Sequence, residues 1–146
     1  MNIIELENQT DLEVDVKKLE KIAESLTTRQ IELVITDNER IRELNREHRE
    51  KDKATDVLSF PLDTPFTETS VFGMPLGSIV ISADLVREKA KEFGHTETDE
   101  LSLLFIHGLL HLLGFDHEND QGEMRAREKE LIETFGLPSS LIIRNI

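Results

Sequence analysis

Residues 97–113, ETDELSLLFIHGLLHLL, restrict the fold more than any other stretch of the chain. Leu101, Leu103, Leu104, Phe105, Ile106, Leu109, Leu110, Leu112 and Leu113 leave a helix here apolar almost all round. Such a helix belongs inside a core, so the rest of the chain must supply layers that enclose it. Thr96 or Thr98 can cap its start, with Glu97, Asp99 and Glu100 against the positive end of the dipole. Gly114 can turn left-handed and stop it. His107 and His111 lie within this helix, four apart, so both imidazoles leave one face a turn apart. Buried there, they need partners.

A bend at Gly114 can bring His117 to the open side of the same point. Three neutral imidazoles with no fourth protein ligand are the makings of an open zinc site. The pattern H-x3-H-x2-G-x2-H, from His107 through His111 and Gly114 to His117, is the ligand frame of the metzincin metallopeptidases. One position departs from that frame. The peptidases carry a Glu after the first His, as general base; this chain has Gly108, which cannot take a proton. A metal at such a site can still acidify water or polarise a substrate oxygen. Three histidines also accept nickel or copper, and affinity order does not favour zinc.

The chain has 146 residues and no cysteine, which fits one domain and excludes disulfides and thiolate metal sites. The opening MNIIELENQTDLEVDV lacks a basic n-region and a long apolar run, and no membrane helix is expected. These features fit a cytoplasmic protein. The net charge of −13 repels DNA, bulk nucleic acid and anionic membranes. Residues 40–53, RIRELNREHREKDK, nevertheless hold six of the 17 Lys and Arg against four acids. Any contact with RNA is expected at a confined patch.

The remaining periodicities give a strand over 2–6, a helix over 13–26 and a half-buried strand in RQIELVIT. Asp37 opens a helix over 38–48, and Asp56–Phe60 is a strand ended by Pro61. Residues 61–76 form a long loop. Its Phe66, Phe72 and Met74 either fold onto the core or line a substrate flap. Gly77–Ser82 is a fourth strand, and Ser82 caps a helix over 83–93 closed by Gly94. Asp120 with Glu123 suggests a capping box for a last helix, 121–135, and the apolar tail LIIRNI is expected to pack back. The fold class is α+β: one mixed four-stranded sheet with about five helices around the histidine helix.

HGLLHLLGFDH resembles the signature of the YbeY family, bacterial endoribonucleases that act as rRNA maturation factors. Arg49–Pro61, with Leu44-Asn45 before it, is similar to the family's second block, and Leu76–Ser82 to its third. The likeness covers roughly residues 30–135. It implies that His107, His111 and His117 hold one zinc ion per chain and that Arg49 engages RNA phosphate. It further implies a single-strand-specific endoribonuclease of rRNA processing, notably at the 16S 3′ end, and of ribosome quality control. Its partners would be rRNA and the small ribosomal subunit. Two positions depart: Ser78 stands where an acid is common, and Phe115 where Tyr is usual.

The alternatives are a metzincin-like peptidase, disfavoured by Gly108, and a non-catalytic ribosome-assembly factor with a structural metal. Asp116 either orients an imidazole or caps the turn. Ser59 and Thr55 are candidate cleft residues; Lys51 and Lys53 read as solvated charges, His48 as a packing residue and His95 as a turn residue. The acids over 118–134 read mostly as a solvated helix face. No residue stands out as general base, and water and the RNA's own 2′-hydroxyl are both open as nucleophile.

Overall fold

Alternation of apolar and polar residues builds the sheet, and the buried helix lies across it. The computed structural model describes residues 3–49, 57–61, 75–115 and 121–137, apart from the side chains of His48 and Arg49. Among these residues the order is β1 (Ile4–Asn8), α1 (Val16–Glu24), β2 (Ile31–Thr36), α2 (Asn38–Arg49), β3 (Val57–Pro61), β4 (Gly77–Ser82), α3 (Ala83–Phe93), α4 (Glu97–Leu112) and α5 (Glu123–Thr134). The strands form one sheet in the order β1-β2-β4-β3. β1, β2 and β4 run parallel, and β3 is antiparallel to β4 at the edge. That edge place explains how Pro61 can close β3 without donating a ladder hydrogen bond.

The sheet is covered on both sides. Ile31, Leu33, Ile35, Ile79 and Ile81 face the main core, with Leu19 and Ile22 of α1, Val86 of α3, Leu103–Ile106 of α4 and Leu131 of α5. The alternate residues Leu58 and Val80 face the other way and pack with Ile41 of α2, beside Val34, Leu44 and Phe60. α4 touches β3, β4, α1, α3 and α5, the central position its all-round apolar sequence requires.

Two glycines let α4 press onto the sheet. A Cβ on Gly108 would stand 2.9 Å from Ile79 Cγ2, 3.2 Å from Ser59 Oγ and 3.3 Å from Val57 Cγ2. A Cβ on Gly77 would stand 2.5 Å from the Phe60 carbonyl oxygen and 2.8 Å from Leu112 Cδ2.

Capping follows the sequence closely at α3 and α4. Ser82 accepts from the Leu85 N–H, Gly94 closes α3 in the left-handed region, and Thr96 accepts from the Asp99 N–H. α5 differs. It is capped by Gly122 at φ 104° with no side-chain hydrogen bond, the Glu123 carboxylate accepts from the Gln121 N–H, and Asp120 lies outside the described residues. β1 is shifted two residues from the expected strand, because its register with β2 runs from Ile4↔Ile31 to Asn8↔Ile35. Phe66, Phe72, Met74 and the tail LIIRNI lie outside the described residues.

Candidate metal centre

The last two turns of α4 carry His107 and His111. Their spacing works as expected: the rings meet edge to face, with centroids 4.7 Å apart and planes 81° apart. The two Nε2 atoms are 3.1 Å from each other. His107 is buried and His111 half-buried.

Each ring is held from its other nitrogen. His107 Nδ1 is 2.8 Å from the Glu128 carboxylate on α5, and His111 Nδ1 is 3.1 Å from the Phe115 carbonyl oxygen. A carboxylate and a carbonyl only accept, so each Nδ1 is the protonated, donating nitrogen. In neutral imidazoles both Nε2 atoms then carry lone pairs, and the two lone pairs converge. A bare pair of acceptors at that distance repels; a shared proton or a cation relieves it. Two nitrogens bound tetrahedrally to one zinc would be about 3.3 Å apart, given zinc–nitrogen bonds of about 2.0–2.1 Å. The donor set and its spacing therefore fit a divalent cation.

The turn that holds His111 is local. Gly114 adopts φ 100°, its N–H donates to the His111 carbonyl, and the Phe115 N–H donates to the Leu110 carbonyl. This reversal points the Phe115 carbonyl back at the imidazole, while the Phe115 ring packs on the core. The hydroxyl of Ser59 donates to the Gly108 carbonyl at 3.0 Å and ties α4 to β3.

The structure does not bring together all the residues singled out. His117, Asp116, Lys51, Lys53 and Thr55 lie outside the described residues, as does the side chain of Arg49, whose backbone ends α2. Among the described residues no cluster of three His, Cys, Asp or Glu is placed to hold a metal. Ser78 sits on the α2 side of the sheet, in register with Glu32, and donates to its carboxylate at 2.7 Å. Its departure from the acidic family residue thus falls on the face away from α4. His95 follows Gly94, and its N–H donates to the Ala90 carbonyl.

Glu128 is the exception to the mostly solvated acids of residues 118–134: Glu123, Glu130 and Glu133 are exposed. Its side chain is only 16% exposed. The signal was present: Met124, Leu131 and Ile132 form the buried stripe of α5, and position 128 falls on that stripe. A lone acid on an apolar stripe calls for a buried partner, and His107 is that partner.

Comparison with known proteins places the chain in a family. The sequence pattern of the family described as endoribonuclease YbeY matches residues 3–136. The chain is 75% identical to endoribonuclease YbeY of Sulfurovum sp. (strain NBC37-1), over 98% of this chain and 97% of the relative. It is 58% identical to endoribonuclease YbeY of Nautilia profundicola, over 98% of this chain and 99% of the relative. The solution structure of TM1509 from Thermotoga maritima matches with a TM-score of 0.58 and 28% identity, over 90% of this chain and 88% of that one. The chain belongs to the YbeY endoribonuclease family.

Proposed function

We propose that this protein is a zinc-dependent, single-strand-specific endoribonuclease of rRNA processing, acting at the 16S rRNA 3′ end and in ribosome quality control. One hydrolase domain spans 1–146 and works in the cytoplasm on rRNA of the small ribosomal subunit. His107, His111 and His117 hold one zinc ion in a metzincin-like frame, and Arg49 binds the RNA phosphate. The observation that carries this reading is the convergence of the His107 and His111 Nε2 atoms at 3.1 Å, with both Nδ1 atoms engaged.

The metal, when bound, supplies Lewis acidity toward a phosphate oxygen or water. The chain's own residues do the rest. The Glu128 carboxylate and the Phe115 carbonyl each lie against an imidazole Nδ1, which leaves both Nε2 atoms facing the metal position. Arg49 offers a rigid fork of N–H donors to the phosphoryl group. Exposed Arg42 and Arg46, on the same helix as Arg49, give an otherwise acidic protein a basic surface toward RNA. The peptidase reading loses further support at Gly108. A side chain there would point into Ile79, Ser59 and Val57, so no general base fits at that position.

The test is cleavage of single-stranded RNA by wild type, His111→Ala and Arg49→Ala. Loss in both variants, with zinc binding lost only in His111→Ala, is the expected result. Equal cleavage in all three would point to a contaminating nuclease and overturn the reading. Full rRNA processing in cells carrying His111→Ala would favour the assembly factor instead.

A further inference from the structure

We propose that Glu128 is the positioning residue for His107: its carboxylate fixes the Nδ1–H tautomer and so aims the Nε2 lone pair at the metal. The proposal rests on the metal-site reading above.

The two histidines are supported by unlike means. His111 is held by the Phe115 carbonyl, four residues along the same chain segment, within the turn that ends α4. His107 has its acceptor 21 residues away, on another helix, at 2.8 Å. Both members of that pair are largely buried, with 9% and 16% of their side chains exposed. A buried carboxylate is not placed on an apolar stripe without a partner. Here Met124, Leu131 and Ile132 seat the helix in the core, and the seating delivers Glu128 to the imidazole.

The chemical consequence is specific. A free neutral imidazole favours the Nε2–H form, in which Nε2 has no lone pair to give. An acceptor at Nδ1 reverses that preference and restrains ring rotation. A negative acceptor also makes Nε2 a stronger donor. The docking of α5 on α4 therefore prepares one ligand, while the glycine turn prepares the other. Loss of the outer partner of a metal-bound histidine typically weakens metal affinity about 10- to 100-fold.

The experiment uses the full chain. Long-range nitrogen–proton NMR spectra of the metal-free protein report which nitrogen of His107 carries the proton. Zinc affinity is measured by competition with a chelator. Wild type should show His107 with Nδ1 protonated. Glu128→Ala should move His107 toward the Nε2–H form and weaken zinc about 10- to 100-fold. Glu128→Gln keeps an acceptor oxygen in place and should retain most of the affinity. Glu128→Asp keeps the charge but withdraws the oxygens, and should behave like the alanine variant; it carries the test if Glu128→Ala does not fold. Unchanged tautomer and unchanged affinity in Glu128→Asp would overturn the proposal, as would a wild-type His107 protonated on Nε2. Tautomer as expected in a wild type that binds no zinc would instead overturn the metal reading, and with it the ligand role given to His107.

Discussion

The Ser59 hydroxyl donates to the Gly108 carbonyl at 3.0 Å, and the missing Cβ of Gly108 makes the approach possible. The residue that removes a peptidase base from the histidine frame is thus also the residue on which α4 meets β3 and β4. Its chemistry and its packing have one cause: a helix lying this close to a sheet has no room for a side chain at the contact.

Gly108→Ala should therefore destabilise the protein, against its helix propensity. Alanine gains up to about 1 kcal/mol in a helix interior over glycine. The new methyl, however, meets the buried Ile79 Cγ2 at 2.9 Å, and overpacking of this kind costs about 1–3 kcal/mol. Urea denaturation should show a net loss of stability, and Gly108→Glu should fail to fold and show no peptidase activity. A Gly108→Ala protein more stable than wild type would contradict the packing account. Ser59→Ala should cost about 0.5–1.5 kcal/mol in the same measurement.

Glu20 is a buried acid with a structural task. It lies on α1, and its two carboxylate oxygens accept from the Ile3 N–H at 3.0 Å and the Ile4 N–H at 2.8 Å. Those donors belong to the start of an edge strand, where the sheet provides no partner on the outer side. Glu20→Ala should cost about 1–3 kcal/mol, because it strands buried donors. Amide exchange at Ile3 and Ile4 should quicken more than exchange in β4. Unchanged protection at those two amides would refute the role.

Arg87 of α3 holds Asp11 by a side-chain hydrogen bond and by charge attraction, and keeps the Asp11 carboxyl below the usual aspartate range. Arg87 stays protonated throughout, its own value raised chiefly by the hydrogen bond to Asp11. A carboxyl that titrates lower in the folded state stabilises above its unfolded value, about 3.9, and loses that contribution as pH falls through the folded value. The melting temperature of Asp11→Asn should lie slightly below wild type at pH 7, and the gap should close in acid. Added salt should also narrow it, because the pair is solvent-exposed. A gap that widens on acidification would reverse the sign and exclude this origin.

Metal should stabilise the fold through the histidines. A ligand bound only by the native state stabilises the fold by an amount that grows with the logarithm of its excess over the dissociation constant, about 2.7 kcal/mol at a hundredfold excess, and so raises the melting temperature. Zinc added to chelator-treated wild type should raise the melting temperature, and His111→Ala should abolish the rise. Acid should abolish it too, since protons compete for the same nitrogens. A rise of equal size in wild type and His111→Ala would place the binding elsewhere.

The sequence by itself determined what depends on near neighbours. Ser82 and Gly94 bound α3, Thr96 starts α4, and Gly114 ends its last turn, because caps and left-handed turns are decided within four or five residues. The four-residue step between His107 and His111 fixed their shared face, and the apolar circuit of α4 fixed its burial. Only the tertiary structure decided the contacts that cross from one element to another. The stripe of Met124, Leu131 and Ile132 marks Glu128 for burial, but its partner is settled only when α5 docks and sets it against His107. Glu20 meets its two donors only when α1 crosses the start of β1. Gly108 reads as a lost base until α4 lies against Ser59 and Ile79. In each case the deciding distance is between residues far apart in the chain, and no local pattern encodes it.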